Sequence, residues 1–266
     1  MTDKLNVHSI LDFKKRGEQI AALTAYDYST AKFLDRAGID LLLVGDSMNM
    51  VVFGEPSTLT LRLEAILPHV RAVASAAKRA FVVGDLPFMS YQPSVRDAVI
   101  SSGEMIRAGA QAVKLEGGRA FREHVEAITD AGIPVMGHLG MTPQSVHKFG
   151  GYRLIGKGEI EAERLIDAAV ALEDAGVFSI VLEKIPADLS ARVAESVEVP
   201  IIGIGAGKHC DGQILVTNDL LGLFDEFKPK FVRRYAQLNE IMIESVGNYV
   251  SDVKDGSFPS DEESYK

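Results

Sequence analysis

One local unit, repeated along the chain, limits the folds open to this sequence more than any other feature. A short run of Val, Ile, Leu and Ala ends in a polar residue, and an amphipathic stretch follows that often closes in Ala-Gly. Eight such runs occur, at residues 20–26, 39–46, 80–85, 110–116, 133–138, 178–183, 199–205 and 213–217. Each is too short for a helix and lacks strict apolar–polar alternation, which is the pattern of strands covered on both faces. Between the runs, Leu165, Ala168, Ala169 and Leu172 stand at the i, i+3, i+4, i+7 spacing of one helical face. Ala108-Gly109, Ala131-Gly132 and Ala175-Gly176 each precede a run, where glycine closes a helix in the left-handed conformation. Eight strands with intervening helices predict an α/β fold, a single-domain (β/α)8 TIM barrel over residues 1–250. An open doubly wound sheet uses the same units, but eight consecutive units in 266 residues close more naturally than they lie open.

Composition excludes several classes of protein. With 47% hydrophobic and 24% charged residues the chain can fill a core, so the bulk of it is not disordered. Acidic side chains outnumber basic ones 37 to 28, for a net charge of -9, which argues against a nucleic-acid partner. The longest apolar stretches, such as residues 199–207, fall far short of the roughly 20 residues that span a bilayer. Residues 1–17 lack the apolar core of a signal peptide. A single cysteine, Cys210, cannot form an internal disulfide and requires no oxidising compartment. The expectation is a soluble, cytoplasmic protein with no membrane contact. Two segments depart from the repeat. Residues 140–158 are long, polar and glycine-rich, a length that is usually functional. The tail over residues 251–266 holds five acids and two lysines and is read as flexible.

The ends of the runs deliver Asp46 and Ser47, Asp85, Lys114 and Glu116, His138, and Glu183. In a barrel these converge on the C-terminal mouth, where such folds place their chemistry. Asp46, Asp85 and Glu116 would repel one another there unless a cation joined them, and oxygen-only ligands select a hard divalent metal such as Mg²⁺. Each acid, taken singly, serves equally well as a cap for the helix that follows it. Lys114 shares a strand face with Glu116, so its ammonium can bind a substrate carboxylate, stabilise an oxyanion, or simply neutralise buried acid. Glu183, on the sixth strand and apart from the acidic cluster, is the candidate general base. His138 ranks below it, because a lone histidine at a strand end is more often structural. The GIGAGK stretch from Gly203 to Lys208 is neither a Walker loop nor a dinucleotide fingerprint, and in a barrel it forms the loop after the seventh strand. Cys210 has no evident base partner and is read as inert.

Seven segments together, TAYDYSTAKFLDRAG, LLLVGDSMNMVVFGEPSTL, GDLPFMSY, VKLEGG, PVMGHLGMTPQS, FGGYR, and IGIGAG followed by DGQILV, resemble the ketopantoate hydroxymethyltransferases (3-methyl-2-oxobutanoate hydroxymethyltransferases). These belong to the phosphoenolpyruvate/pyruvate barrel superfamily, and the resemblance runs from about His8 to Tyr249 in the right order. It implies transfer of a one-carbon unit from 5,10-methylenetetrahydrofolate to 2-oxoisovalerate, giving ketopantoate through a Mg-stabilised enolate, the first step of pantothenate biosynthesis. It implies metal ligation by Asp46, Asp85 and Glu116, and oxoacid binding by Asp46, Ser47, Asp85 and Lys114. Glu183 is implied as the residue that takes the C3 proton, after which the enolate attacks the folate methylene. A homo-oligomer, commonly a decamer, is the family expectation. Two positions depart from the pattern: Asn49, where many relatives carry glycine, and Lys184, which strand alternation turns toward solvent. The 140–158 segment is the candidate lid over the enolate. Two rivals share the features of the mouth, an isocitrate-lyase-like enzyme and a non-catalytic metal or oxoacid binder. The first lacks its usual Lys-Lys-Cys-Gly motif here, and the intact Glu183 argues against the second.

Overall fold

The computed structural model describes residues 3–265. Eight parallel strands close into a barrel in sequence order. They are β1 (Ile20–Thr24), β2 (Leu41–Val44), β3 (Phe81–Asp85), β4 (Ala112–Glu116), β5 (Val135–Gly140), β6 (Ser179–Glu183), β7 (Ile201–Ile204) and β8 (Gly212–Leu215), which pairs back onto β1. Six of them lie inside the expected runs, while β5 continues to Gly140 and β8 begins at Gly212. The TIM-barrel reading is correct.

Helices bridge each strand pair from β1 to β7, and the Ala-Gly signals close three of them. Gly109, Gly132 and Gly176 take positive φ values of 110°, 83° and 95°, each directly after the alanine that caps its helix. On the helix Glu159–Asp174 the residues Leu165, Ala169 and Leu172 are buried, as their spacing requires. One expected helix does not form. Residues 205–211 carry the chain from β7 to β8 without a helix, because the link is too short for several turns and both Gly205 (φ 62°) and Gly207 (φ 84°) leave helical dihedrals.

The helix Val7–Arg16 plugs the N-terminal end of the barrel. Asn6 caps it by accepting a hydrogen bond from Ser9 N at 3.1 Å. Its Ile10 and Phe13 enter one cluster with Ile20, Leu41, Phe81, Met136 and Phe178 from the starts of the strands. Phe81 and Phe178 meet edge to face at 5.5 Å. Lys14 Nζ fastens the helix by donating to the carbonyls of Ala194, Val197 and Val199 at 2.8–3.2 Å and pairing with Asp211 at 3.2 Å.

Along each strand every second residue faces the barrel interior. In β3 that column reads Phe81, Val83, Asp85, and in β4 it reads Ala112, Lys114, Glu116. In β5 it reads Met136 then His138, and in β6 Val181 then Glu183. Apolar residues at the bottom give way to charge at the top.

The barrel unit ends at Val216, and a second compact unit begins at Thr217. Within it a turn at Gly222 (φ 67°) is closed by Tyr235 N donating to Leu220 O at 2.8 Å. The helix Leu238–Asp255 follows and so includes residues 251–255 of the acidic tail. None of its side chains is buried, and it shows Ile241, Ile243, Val246 and Tyr249 to solvent. Among the described residues no helix is long and apolar enough to cross a membrane.

Candidate active site

Parallel register sets the charged strand ends side by side. Asp85 pairs with Lys114 across β3 and β4, Glu116 with His138 across β4 and β5, and Gly140 with Glu183 across β5 and β6. Lys114 Nζ lies 2.7 Å from Asp85 Oδ1 and 3.5 Å from His138 Nδ1. His138 stands between two carboxylates, with Nδ1 3.4 Å from Glu116 Oε1 and Nε2 3.4 Å from Glu183 Oε2. Asp46 follows the tip of β2 and joins the group through its backbone N–H, which donates to Asp85 Oδ2 at 3.1 Å. Ser47 Oγ lies 2.9 Å from Tyr26 Oη. Asp46, Asp85, Lys114, Glu116 and Glu183 thus meet in one mouth, as their place at strand ends requires.

Burial dominates the electrostatics. It raises the carboxyl of Asp46 to about 6, helped by the negative charge of Glu116, and raises Asp85 to about 6 against the pull of Lys114. Burial opposes the charge on Lys114, but Asp85, Glu116 and Asp46 outweigh it and hold the ammonium protonated. For His138, burial and Lys114 favour the neutral ring, yet Glu116 and Glu183 prevail and raise its pKa to about 9. The histidine that the sequence ranked low is an imidazolium linking Glu116, a proposed metal ligand, to the candidate base.

Several residues of the mouth carry no charge signal in the sequence. Gln144 uses all four hydrogen-bonding positions of its side-chain amide. Its Nε2 donates to Asp46 Oδ2 at 3.0 Å and Leu86 O at 2.9 Å, while Oε1 accepts from Gln92 at 2.9 Å and Tyr91 at 3.1 Å. Its backbone N–H donates to Glu116 Oε2 at 2.9 Å. Only its place in the GHLGMTPQS stretch marked it. Lys184 keeps its ammonium out of the mouth, in an exposed contact, as strand alternation led one to expect. It takes the left-handed conformation (φ 50°), and its Nζ donates to Tyr152 O at 2.6 Å. Ile155 N donates to Lys184 O and Met141 N to Glu183 O, so both ends of the 140–158 segment are tied to the strand end that carries the candidate base. The middle of that segment holds two short helical turns, Pro143–Ser145 and Val146–Phe149. Asn49 is buried and pins the loop after β2 by donating to Ser57 O at 2.7 Å and Thr60 Oγ1 at 2.8 Å. Cys210 is buried, and burial raises its thiol to about 11, so it is protonated at neutral pH.

Four carboxylates, Asp46, Asp85, Glu116 and Glu183, face one ammonium and one imidazolium. Glu116 Oε1, though buried, makes no hydrogen bond among the described residues and faces His138 Nδ1 at 3.4 Å. An all-oxygen donor set with surplus negative charge suits a hard divalent cation. Among the described residues no three acids, histidines or cysteines converge as a ready ligand cage. Lys114 and Gln144 instead hold Asp85 and Asp46. Mg²⁺ commonly retains water and substrate oxygens, so it does not demand an all-protein cage.

Beside the mouth, with Glu116 and His138 in its wall, opens a cavity of about 600 Å³. Its size falls in the range of pockets that hold drug-sized ligands.

The chain matches the family model described as ketopantoate hydroxymethyltransferase over residues 4–261. It is 51% identical to the 3-methyl-2-oxobutanoate hydroxymethyltransferase of Syntrophus aciditrophicus (strain SB), over 98% of this chain and 97% of that one. It is 53% identical to the enzyme of that name from Clostridium kluyveri, over 99% and 94% of the two chains. Among solved structures it is similar to phosphonopyruvate hydrolase, with a TM-score of 0.64 and 15% identity over 99% of this chain and 93% of that one. It is also similar to 2,3-dimethylmalate lyase, with a TM-score of 0.61 and 14% identity over 97% and 91%. At those identities the structural likeness speaks for the barrel alone. With half of all positions shared across its whole length, the chain belongs to the ketopantoate hydroxymethyltransferase family.

Proposed function

We propose that this enzyme transfers a hydroxymethyl group from 5,10-methylenetetrahydrofolate to 2-oxoisovalerate, giving ketopantoate on the route to pantothenate. The observation that carries the reading is the placement of Glu183. It stands at the edge of the mouth, opposite the Asp46–Asp85–Lys114 group, with His138 3.4 Å away to balance its charge. Asp46, Ser47, Asp85 and Lys114 bind the oxoacid, and Lys114 balances the negative charge that develops on its oxygens. Asp46, Asp85 and Glu116 would hold Mg²⁺, which when bound would supply Lewis-acid withdrawal of electron density from the keto group. Glu183 accepts the C3 proton, and the C–H electron pair becomes the enolate. C3 then bonds to the one-carbon unit. Both C–N bonds of the folate methylene break, one replaced by this C–C bond and the other by a C–O bond from one water. The folate nitrogens take up the C3 proton and one water proton as tetrahydrofolate leaves. Because C3 of the oxoacid bears one hydrogen, the product carbon is quaternary and cannot enolise again at that position. Residues 140–158 act as the lid that keeps bulk water from the enolate. The enzyme is a homo-oligomer in this reading, with a decamer the family expectation, and the apolar side chains shown by the helix Leu238–Asp255 support association.

Proton NMR of 2-oxoisovalerate in D₂O tests the chemistry. Loss of the C3 proton signal that depends on Mg²⁺, then ketopantoate once the folate is added, is the expected result. Glu183→Gln should slow the exchange by about 10²–10⁴-fold while keeping Mg²⁺-dependent oxoacid binding. Asp85→Ala should lose the binding as well. Exchange at the wild-type rate in the Gln variant rules out Glu183 as the base.

A further inference from the structure

A five-carbon oxoacid fills only a small part of the space next to the mouth. The cavity of about 600 Å³ has Glu116 and His138 at its inner wall and opens outward between the loops after β4 and β5. Four aromatic rings line it, Phe88, Phe121 and Phe149 along with the buried Tyr91. Phe121 is held in place edge to face by Tyr91 at 5.3 Å and His124 at 5.1 Å, and Phe149 carries the Arg153 guanidinium 6.0 Å above its ring. The lining also includes four exposed cations. Arg153 is shared with Glu161 at 3.5 Å, whereas Arg119, Lys148 and Arg164 form no ion pair among the described residues. The acids of the lining outside the mouth are Glu161 and Asp167, so cations are in excess on a protein whose net charge is -9. Aromatic walls beside a cationic margin match a ligand with a flat heteroaromatic body and a carboxylate tail.

We propose that this cavity is the binding site of the one-carbon donor. The pterin and aminobenzoyl rings lie among Phe88, Phe121 and Phe149, and the glutamate carboxylates meet Arg119, Lys148 and Arg164. The proposal rests on the folate-dependent reading above. It accounts for two features which that reading leaves idle, the surplus volume and the unpaired cations. It also places the donor against the wall formed by Glu116 and His138, next to the oxoacid carbon that must be reached. Since the cations pair with the tail and not with the rings, lengthening the glutamate chain should tighten binding.

The experiment measures binding and KM with the full-length protein and Mg²⁺, using the monoglutamate and triglutamate forms of tetrahydrofolate and its methylene derivative. Wild type is expected to favour the triglutamate, and the Arg119→Ala/Lys148→Ala/Arg164→Ala variant to lose that preference. Three exposed pairs of a few-fold each amount to about tenfold in donor KM. Phe149→Ala should weaken both folates alike, and Phe149→Tyr should restore them. A thermal melt of each variant establishes that it is folded. A donor KM unchanged in the triple variant and in Phe149→Ala overturns the assignment. ATP, which also joins an aromatic ring to anionic groups, serves as the counter-probe, and its binding in preference to the folates overturns the assignment too. Wild-type C3 exchange without any turnover of the folate identifies failure of the parent reading instead.

Discussion

Gln144 ties Asp46, Tyr91, Gln92 and the Leu86 carbonyl together with one neutral amide. Gln144→Leu keeps much of the volume and leaves these groups unpaired in a buried place. The expected cost is about 1–3 kcal/mol, read from the denaturation midpoint, because an orphaned polar group forfeits its full desolvation energy. A midpoint equal to that of the wild type would show that the partners find water or one another instead. The residue also marks the limit of what the chain reveals before folding. Asp85, Lys114, Glu116, His138 and Glu183 could be singled out because several charged groups closing neighbouring apolar runs point to one mouth, although each acid alone reads equally well as a helix cap. Gln144 and Tyr91 could not, since neutral side chains gain their meaning only when a distant loop delivers them.

Among the elements, the junction of β5, β6 and the 140–158 segment couples loop to base most directly. Gly140 has φ 93°, and a Cβ there would run into the carbonyl oxygen of Glu183, with Ile185 Cγ2 at 2.8 Å. Gly140→Ala combines a strained dihedral with overpacking, at a cost of about 2–4 kcal/mol. Since the clash falls on the backbone of Glu183, C3 exchange should slow more than the oxoacid affinity changes. Loss of stability with an unaltered exchange rate would separate the loop from the base. The helix missing between β7 and β8 shows how pattern reading overreached here. Six units of strand and helix invited a seventh, although the length of residues 205–211 and their glycines already argued against one.

Across the whole molecule, the charges of the mouth set how stability responds to pH. Asp46 and Asp85 have folded pKa values near 6, above those of the unfolded chain, so the folded state binds more protons between about pH 4 and 6. Their penalty therefore develops as pH rises through that window. His138 is raised to about 9, so its contribution is complete below about pH 6.5 and lost as pH rises through 9. All three slopes have the same sign. Thermal melts of the metal-free protein at pH 5, 7 and 9 should show a falling Tm, and Mg²⁺ should raise Tm more at pH 7 than at pH 5, where protonated acids compete with it. A Tm that rises from pH 5 to 9 would contradict this account of the mouth. The inward columns of the strands carry a consequence for how such a protein changes over generations. Because Phe81, Val83 and Asp85 share one strand, as do Met136 and His138, tolerance to substitution should be graded by depth along the barrel axis. Lineages can drift among apolar residues at the lower end, trading melting temperature while the reaction persists. At the upper end the same drift would cost turnover first, so inherited variation should record stability and chemistry as two separate histories within single strands.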